Sequence, residues 1–262
     1  MEKNKIYNED CLVTMRNHID SRSVNVILTS PPYNTGRSVT NERARSNHEA
    51  RYDCYADGMS NDEYDQFTVD LYNGFDKVLS ENGVVLYNIS YGNENPTNMW
   101  TCITEVCRRT VFMVADIIVW KKSNALPNNV SSNKLTRICE YVFVMCRKSE
   151  YKTFQMNKEE SESRSSKGQK MYNNVYNYIE APNNDGSTIL NKATFSSVLV
   201  RKLLTMYAKP NQLVYDPFMG TGTTAIGCIR GGYNYIGSEI SSGQYEFSLR
   251  RIKEEQQQLT LF

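Results

Sequence analysis

The apolar positions of this 262-residue chain fall into short continuous runs separated by stretches of helical period. Residues 24–28 and 84–89 read as buried strands, because apolar side chains follow one another with little polar alternation. Residues 111–120 and 138–146 are longer β runs parted only by a polar stretch containing Pro127, so they are expected to pair antiparallel. Shorter strands are expected at 5–8, 214–215 and 233–237. Tyr64, Phe67, Leu71, Phe75 and Val78 recur at helical spacing behind Ser60-Asn-Asp-Glu63, a capping-box pattern, and Asn82-Gly83 is expected to end that helix. Further helices are expected at 10–15, 99–108, 196–208, 224–230 and 244–257. Strands alternating with helices predict an α/β fold, a doubly wound and mostly parallel sheet carrying an antiparallel strand pair.

Two polar stretches interrupt this pattern. Residues 36–58 are rich in Arg, Asn and Ser, and are long for a plain connection. Residues 147–170 are charged, Ser-rich and poor in aliphatics, which reads as a flexible insert or a subdomain boundary. The chain accordingly divides into 1–146, a polar insert at 147–186, a second part of the main domain at 187–257 and a tail at 258–262. Net charge is only +1, so any surface for a polyanion must be local. Seven cysteines at irregular spacing fit a reducing compartment better than a disulfide framework. With no Cys-x-x-Cys pair and only His18 and His48, no metal site is expected. No apolar run approaches membrane-spanning length and the first residues lack a signal-peptide pattern, so a cytoplasmic protein without membrane contact is expected.

Two motifs carry chemistry. At 29–34, directly after the predicted strand 24–28, stands Thr-Ser-Pro-Pro-Tyr-Asn. Pro31 and Pro32 fix φ and remove two backbone donors, leaving a rigid turn with free carbonyls, the Ser30 hydroxyl and the Tyr33 ring. Acceptors beside a stacking platform suit a flat substrate bearing N–H groups, such as a nucleobase; a plain Pro-Pro turn with a surface tyrosine is the alternative. At 216–224, Asp-Pro-Phe-Met-Gly-Thr-Gly-Thr-Thr lies between a strand and a helix, where Gly220 and Gly222 let backbone approach a ligand at a helix N-terminus. No Gly-Lys-Ser/Thr follows, so it is not a Walker loop. A dinucleotide stays open, since Glu239 ends the next strand and suits ribose hydroxyls either way. Asp216, before the turn, would repel a pyrophosphate and attract an ammonium, which favours S-adenosylmethionine.

Both motifs resemble those of the amino-group DNA methyltransferases in the permuted arrangement called the β class, with the catalytic motif in the N-terminal half and the cofactor loop in the C-terminal half. Ser30-Pro31-Pro32-Tyr33 is similar to the family's (Asp/Asn/Ser)-Pro-Pro-(Tyr/Phe/Trp), and Asp216, Pro217, Phe218, Gly220, Gly222, Thr223 and Thr224 to its cofactor loop. The resemblance implies a class I methyltransferase fold with S-adenosylmethionine as cofactor. It implies that Glu239 holds the ribose, that Asp10 and Cys11 approach the adenine, and that Phe195 and Ser196 contact the methionine end. Residues 117–124, 140–148 and 244–252 resemble further family segments, and 147–185 is the least covered part.

The implied chemistry is methyl transfer to the exocyclic amine of a flipped-out base. Ser30 and the Pro31 carbonyl would accept the two N–H bonds while Tyr33 stacks on the base. Serine in first position resembles cytosine-N4 enzymes more than adenine-N6 enzymes, and adenine stays as the alternative, as does a catalytically silent DNA-binding or regulatory module. Cytosine-C5 methylation would need a thiolate in a comparable turn, and none of the cysteines sits in one. Double-stranded DNA is the implied partner, with Arg37, Arg43, Arg45, Arg51, Lys121 and Lys122 as candidate contacts. A homodimer and a cognate restriction endonuclease are family-level expectations. Residues 258–262, Gln-Leu-Thr-Leu-Phe, resemble the peptide by which bacterial proteins dock on the replication sliding clamp.

Overall fold

The computed structural model describes residues 1–34, 58–92, 95–125, 132–183 and 196–259. In chain order its elements are β1 (Lys5–Tyr7), α1 (Cys11–Asn17), β2 (Val24–Thr29), α2 (Asn61–Val78), β3 (Leu79–Ile89), α3 (Asn98–Arg109), β4 (Phe112–Lys122) and β5 (Cys139–Arg147). They continue with β6 (Glu160–Arg164), β7 (Lys170–Tyr172), β8 (Tyr178–Ala181), α4 (Ser197–Tyr207), β9 (Leu213–Asp216), α5 (Thr223–Gly231), β10 (Asn234–Ser238) and α6 (Ser242–Leu259). Eight strands form one sheet in the order β1-β10-β9-β2-β3-β5-β4-β8, while β6 and β7 pair separately as a hairpin. Within the eight-stranded sheet, among the described residues, only β5 runs against its neighbours, antiparallel to both β3 and β4, and the β6–β7 hairpin is antiparallel as well. The expected doubly wound, mostly parallel sheet is what forms.

Side chains of the central strands alternate between two cores, which is why the sequence shows runs rather than alternation. Val26 and Leu28, Val84 and Leu86, and Val142 and Val144 face α4, α5 and α6. Ile27, Val85, Tyr87, Phe143 and Met145 face α1, α2 and α3. The capping box closes as its pattern predicts: the Glu63 amide donates to Ser60 Oγ and the Ser60 amide to Glu63 Oε2.

Two expectations fail. The helix at 61 ends at Val78, not at Asn82-Gly83, because that pair forms a bulge inside β3. The β2–β3 register jumps from Val24↔Leu79 to Val26↔Val84, Asn82 takes φ +57°, and a Cβ on Gly83 would lie 2.9 Å from the Asn25 carbonyl. The same turn signature that suits a helix stop here marks a bulge. The stretch at 147–186 is not wholly an insert either. Arg147 ends β5 and is 4% exposed, and β8 adds a parallel edge strand to β4. Arg147 Nε donates to Asp76 at 2.6 Å and its Nη groups to Glu150 and to the Ser80, Leu79 and Asp76 carbonyls, locking α2 to the bulge.

Every βα crossover leaves its strand at the same sheet edge. The chain goes from β9 through α5 to β10 on one side, and from β2 through α2 to β3 on the other. Neighbouring β2 and β9 are thus a topological switch point, where the carboxyl ends of an open α/β sheet leave a crevice for a ligand.

Candidate active site

Both motifs open on this crevice. Thr29 ends β2, Asp216 ends β9, and Thr29 Oγ1 donates to Asp216 Oδ1 at 2.8 Å, joining them across 187 residues of chain. Asp216 is 1% exposed and also accepts from the Phe218 amide at 3.0 Å and from Thr224 Oγ1 at 2.5 Å. Burial pushes its carboxyl up to about 6, against the hydroxyls of Thr224 and Thr29 and the Phe218 amide, which pull it down. The carboxylate that the sequence offers to a ligand ammonium has three protein donors, and through them it clasps the two motifs together.

Pro217 is buried, and Phe218 is half-buried with its ring 6.1 Å from that of Phe67. Gly220 and Gly222 take φ of +54° and +85°, the left-handed region where a side chain is strained. Gly222 caps α5, whose first residues are the buried Thr223 and Thr224. Glu239, just past β10, accepts from the Gly220 amide at 2.7 Å and the Ser241 amide at 2.8 Å, so it braces the loop from the side of β1. Asp10 caps α1 by accepting from the Leu12 amide. Cys11 is buried, and burial raises its thiol to about 12, so it offers a small apolar wall rather than a thiolate. Ser196 caps α4 through the Val198 amide, whereas Phe195 lies outside the described residues. Two carboxylates beside adjacent strands, with a loop whose backbone geometry favours glycine, fit a ligand carrying ribose hydroxyls.

The catalytic motif is held from three directions. Pro31 and Pro32 are buried, and the Pro32 carbonyl accepts from the Tyr64 hydroxyl at 2.7 Å, which leaves the Pro31 carbonyl as the candidate acceptor. Asn98 Nδ2 donates to the Tyr33 carbonyl at 3.2 Å. The Tyr33 hydroxyl lies 2.9 Å from Ser30 Oγ and donates to Glu140 Oε2 at 2.9 Å. Asn88 Nδ2 reaches Tyr33 at 2.7 Å, Glu140 at 2.9 Å and Ser30 at 3.3 Å, and Lys122 Nζ lies 2.5 Å from Glu140 Oε1.

The family model described as DNA methylase matches residues 24–250, which takes in both motifs and every strand but β1. The chain belongs to the DNA methylase family. Its members are N6 or N4 amino-methyltransferases, and S-adenosylmethionine is the methyl donor. Among curated relatives, the methylase is 28% identical over 139 residues to the type II methyltransferase M.Cfr9I of Citrobacter freundii, covering 53% of this chain and 44% of that protein. It is 25% identical over 264 residues to M.HinfI of Haemophilus influenzae, covering 96% and 68%. The crystal structure of the M1.HpyAVI–SAM complex matches with a TM-score of 0.64 at 20% identity, over 94% of this chain and 98% of that one.

Of the residues singled out in the methylase sequence, Ser30, Pro31, Pro32, Tyr33, Asp216 and the loop to Thr224 converge at the switch point, with Asp10, Cys11 and Glu239 on its β1 side and Ser196 at the same edge. Arg37, Arg43, Arg45 and Arg51 lie outside the described residues. Lys122 is a member of the Tyr33 cluster, and Lys121 bridges to Glu180 at 3.1 Å on the β4–β8 edge, so both lysines have partners within the protein. Residues 258 and 259 continue α6, and 260–262 are outside the described residues. Asn88, Glu140 and Tyr64 were missed. Their signal was a polar group inside an apolar strand in the first two cases, and a tyrosine counted as core in the third.

Proposed function

We propose that this methylase modifies the exocyclic amino nitrogen of a base flipped out of double-stranded DNA, cytosine N4 in preference to adenine N6. The observation that supports the reading is Ser30: a neutral hydroxyl able to accept from an amine follows Thr29, whose side chain is bonded to Asp216 at the start of the cofactor loop. Ser30 Oγ and the Pro31 carbonyl accept the two N–H bonds, which lets the nitrogen pyramidalise and turn its lone pair towards the methyl group. The Tyr33 ring stacks on the base while its hydroxyl is tethered, and Pro32 keeps the turn rigid. When bound, S-adenosylmethionine supplies an electrophilic methyl group. Glu239 holds its ribose, Asp10 and Cys11 flank its adenine, Phe195 and Ser196 meet its methionine end, and residues 216–224 shape the floor. The protein contributes proximity and orientation for an in-line displacement and needs no covalent intermediate.

The arginines at 37, 43, 45 and 51 are proposed to contact phosphates, with 147–186 as the target-recognition region. A homodimer, a cognate restriction endonuclease and a sliding clamp docked on 258–262 belong to the same reading, set in a cytoplasm where DNA is accessible. Mass spectrometry of nucleosides from DNA treated with the protein decides the base. N4-methylcytosine is expected, and N6-methyladenine alone overturns the assignment.

A further inference from the structure

Glu140 stands in an apolar strand, at the centre of a polar cluster with Ser30, Tyr33, Asn88 and Lys122. Its side chain is 15% exposed, and its two oxygens have separate partners: Oε1 takes the Lys122 ammonium, while Oε2 accepts from Tyr33 and Asn88. A carboxylate accepts and cannot donate. The single phenolic proton of Tyr33 is therefore committed to Glu140, and Asn88 Nδ2 is a second donor pointed at the same phenol. What the phenol oxygen has left, facing Ser30 at 2.9 Å, is acceptor capacity. The Ser30 proton then turns inward to Tyr33, Asn88 Nδ2 reaches one serine lone pair at 3.3 Å, and the other is left to the crevice.

From this geometry we infer that Glu140 is a positioning residue which, through Tyr33, fixes Ser30 as a hydrogen-bond acceptor for the amine to be methylated. The inference rests on the amino-transfer reading above and names a further residue for that same reaction. A serine free to rotate would present a proton to an amine for part of the time, and a donor facing a donor forfeits the contact. Lys122 belongs to the device because it occupies the other carboxylate oxygen and so directs Oε2 towards Tyr33. The chain of partners runs Ser30, Tyr33, Glu140, Lys122, with Asn88 bracing the first three from β3.

Glu140→Gln tests it. Beside Lys122 the new amide turns its carbonyl to the ammonium and its NH2 to Tyr33, which reverses the phenolic proton and releases that of Ser30. The expected result is a fall in kcat of roughly 10- to 100-fold, with KM for DNA and the Kd for S-adenosylmethionine changed by less than about twofold. Tyr33→Phe should cost a similar factor, and adding Glu140→Gln to it should cost no more than about threefold, since the relay is already cut. Losses that multiply in the double variant overturn the relay. So does a parallel loss of cofactor affinity and thermal stability, which would make Glu140 a structural charge. A wild-type protein that forms neither N4-methylcytosine nor N6-methyladenine overturns the underlying reading instead, so the two failures are distinguishable.

Discussion

Replacing Asp216 by Asn separates two roles for the carboxylate that joins the motifs. Asn keeps an oxygen for Thr29 Oγ1 and the Phe218 amide, and offers an N–H to Thr224, whose hydroxyl can turn to accept it. What it removes is charge in a site 1% exposed. Burial raises the folded carboxyl from 3.8 to about 6, so the native state holds this proton more tightly than the unfolded chain does. Below about pH 4 both states are protonated and the group costs nothing. As pH climbs from about 4 to about 6 the unfolded chain ionises first, and stability falls. Above about 6 the penalty levels off near 3 kcal/mol, at about 1.4 kcal/mol per pH unit. Asp216→Asn should therefore stabilise the protein at neutral pH by up to ~3 kcal/mol, less about 1 kcal/mol for the exchanged hydrogen bond. The gain should vanish as pH is lowered towards about 4. Urea unfolding across that range measures it, and titration calorimetry with S-adenosylmethionine is expected to show affinity within a few fold of wild type. A variant less stable at every pH, with cofactor affinity down more than about tenfold, would refute the clasp and restore the carboxylate as partner of a ligand ammonium.

Ser60→Ala removes one half of the capping box and should cost about 1 kcal/mol in urea unfolding without touching kcat. Gly222→Ala places a Cβ 3.1 Å from that of Ser248 on a backbone with φ +85°, so about 1–2 kcal/mol of stability and much of the cofactor affinity should go together, read by unfolding and calorimetry. Arg147→Leu takes the buried donor from Glu150 and three carbonyls and leaves Asp76 to Arg22 at 3.8 Å, and about 3–5 kcal/mol should be lost in thermal unfolding.

The fold was legible where burial is two-sided. Runs such as 84–86 and 142–145 must be apolar on both faces, and such runs have few alternatives. β8 escaped because an edge strand of four residues buries only Ile179 and Ala181, too short an alternation to stand out from the Tyr/Asn-rich sequence around it. Asn82-Gly83 misled for a different reason. The left-handed backbone that ends a helix also makes a bulge, and only the offset pairing with β2 tells the two apart.

The site divides along the same line. Prolines and glycines in Ser-Pro-Pro-Tyr and in residues 216–222 act on their own backbone, so each motif declares its turn locally. The cluster behind Tyr33 does not, because its members come from the ends of β2, β3, β4 and β5 and meet only through the sheet's register, which sets Trp120 opposite Glu140 and Asn88 opposite Val142. A half-signal existed. An ionised side chain in a buried strand costs several kcal/mol unless it is paired, so Glu140 within Cys-Glu-Tyr-Val-Phe-Val already implies a cation and a donor somewhere. The antiparallel β4–β5 pair says that the cation is Lys122, and the place of β2 and β3 beside β5 says that the donor is Tyr33, which together turn a demand for charge balance into a statement about which way the Ser30 proton points.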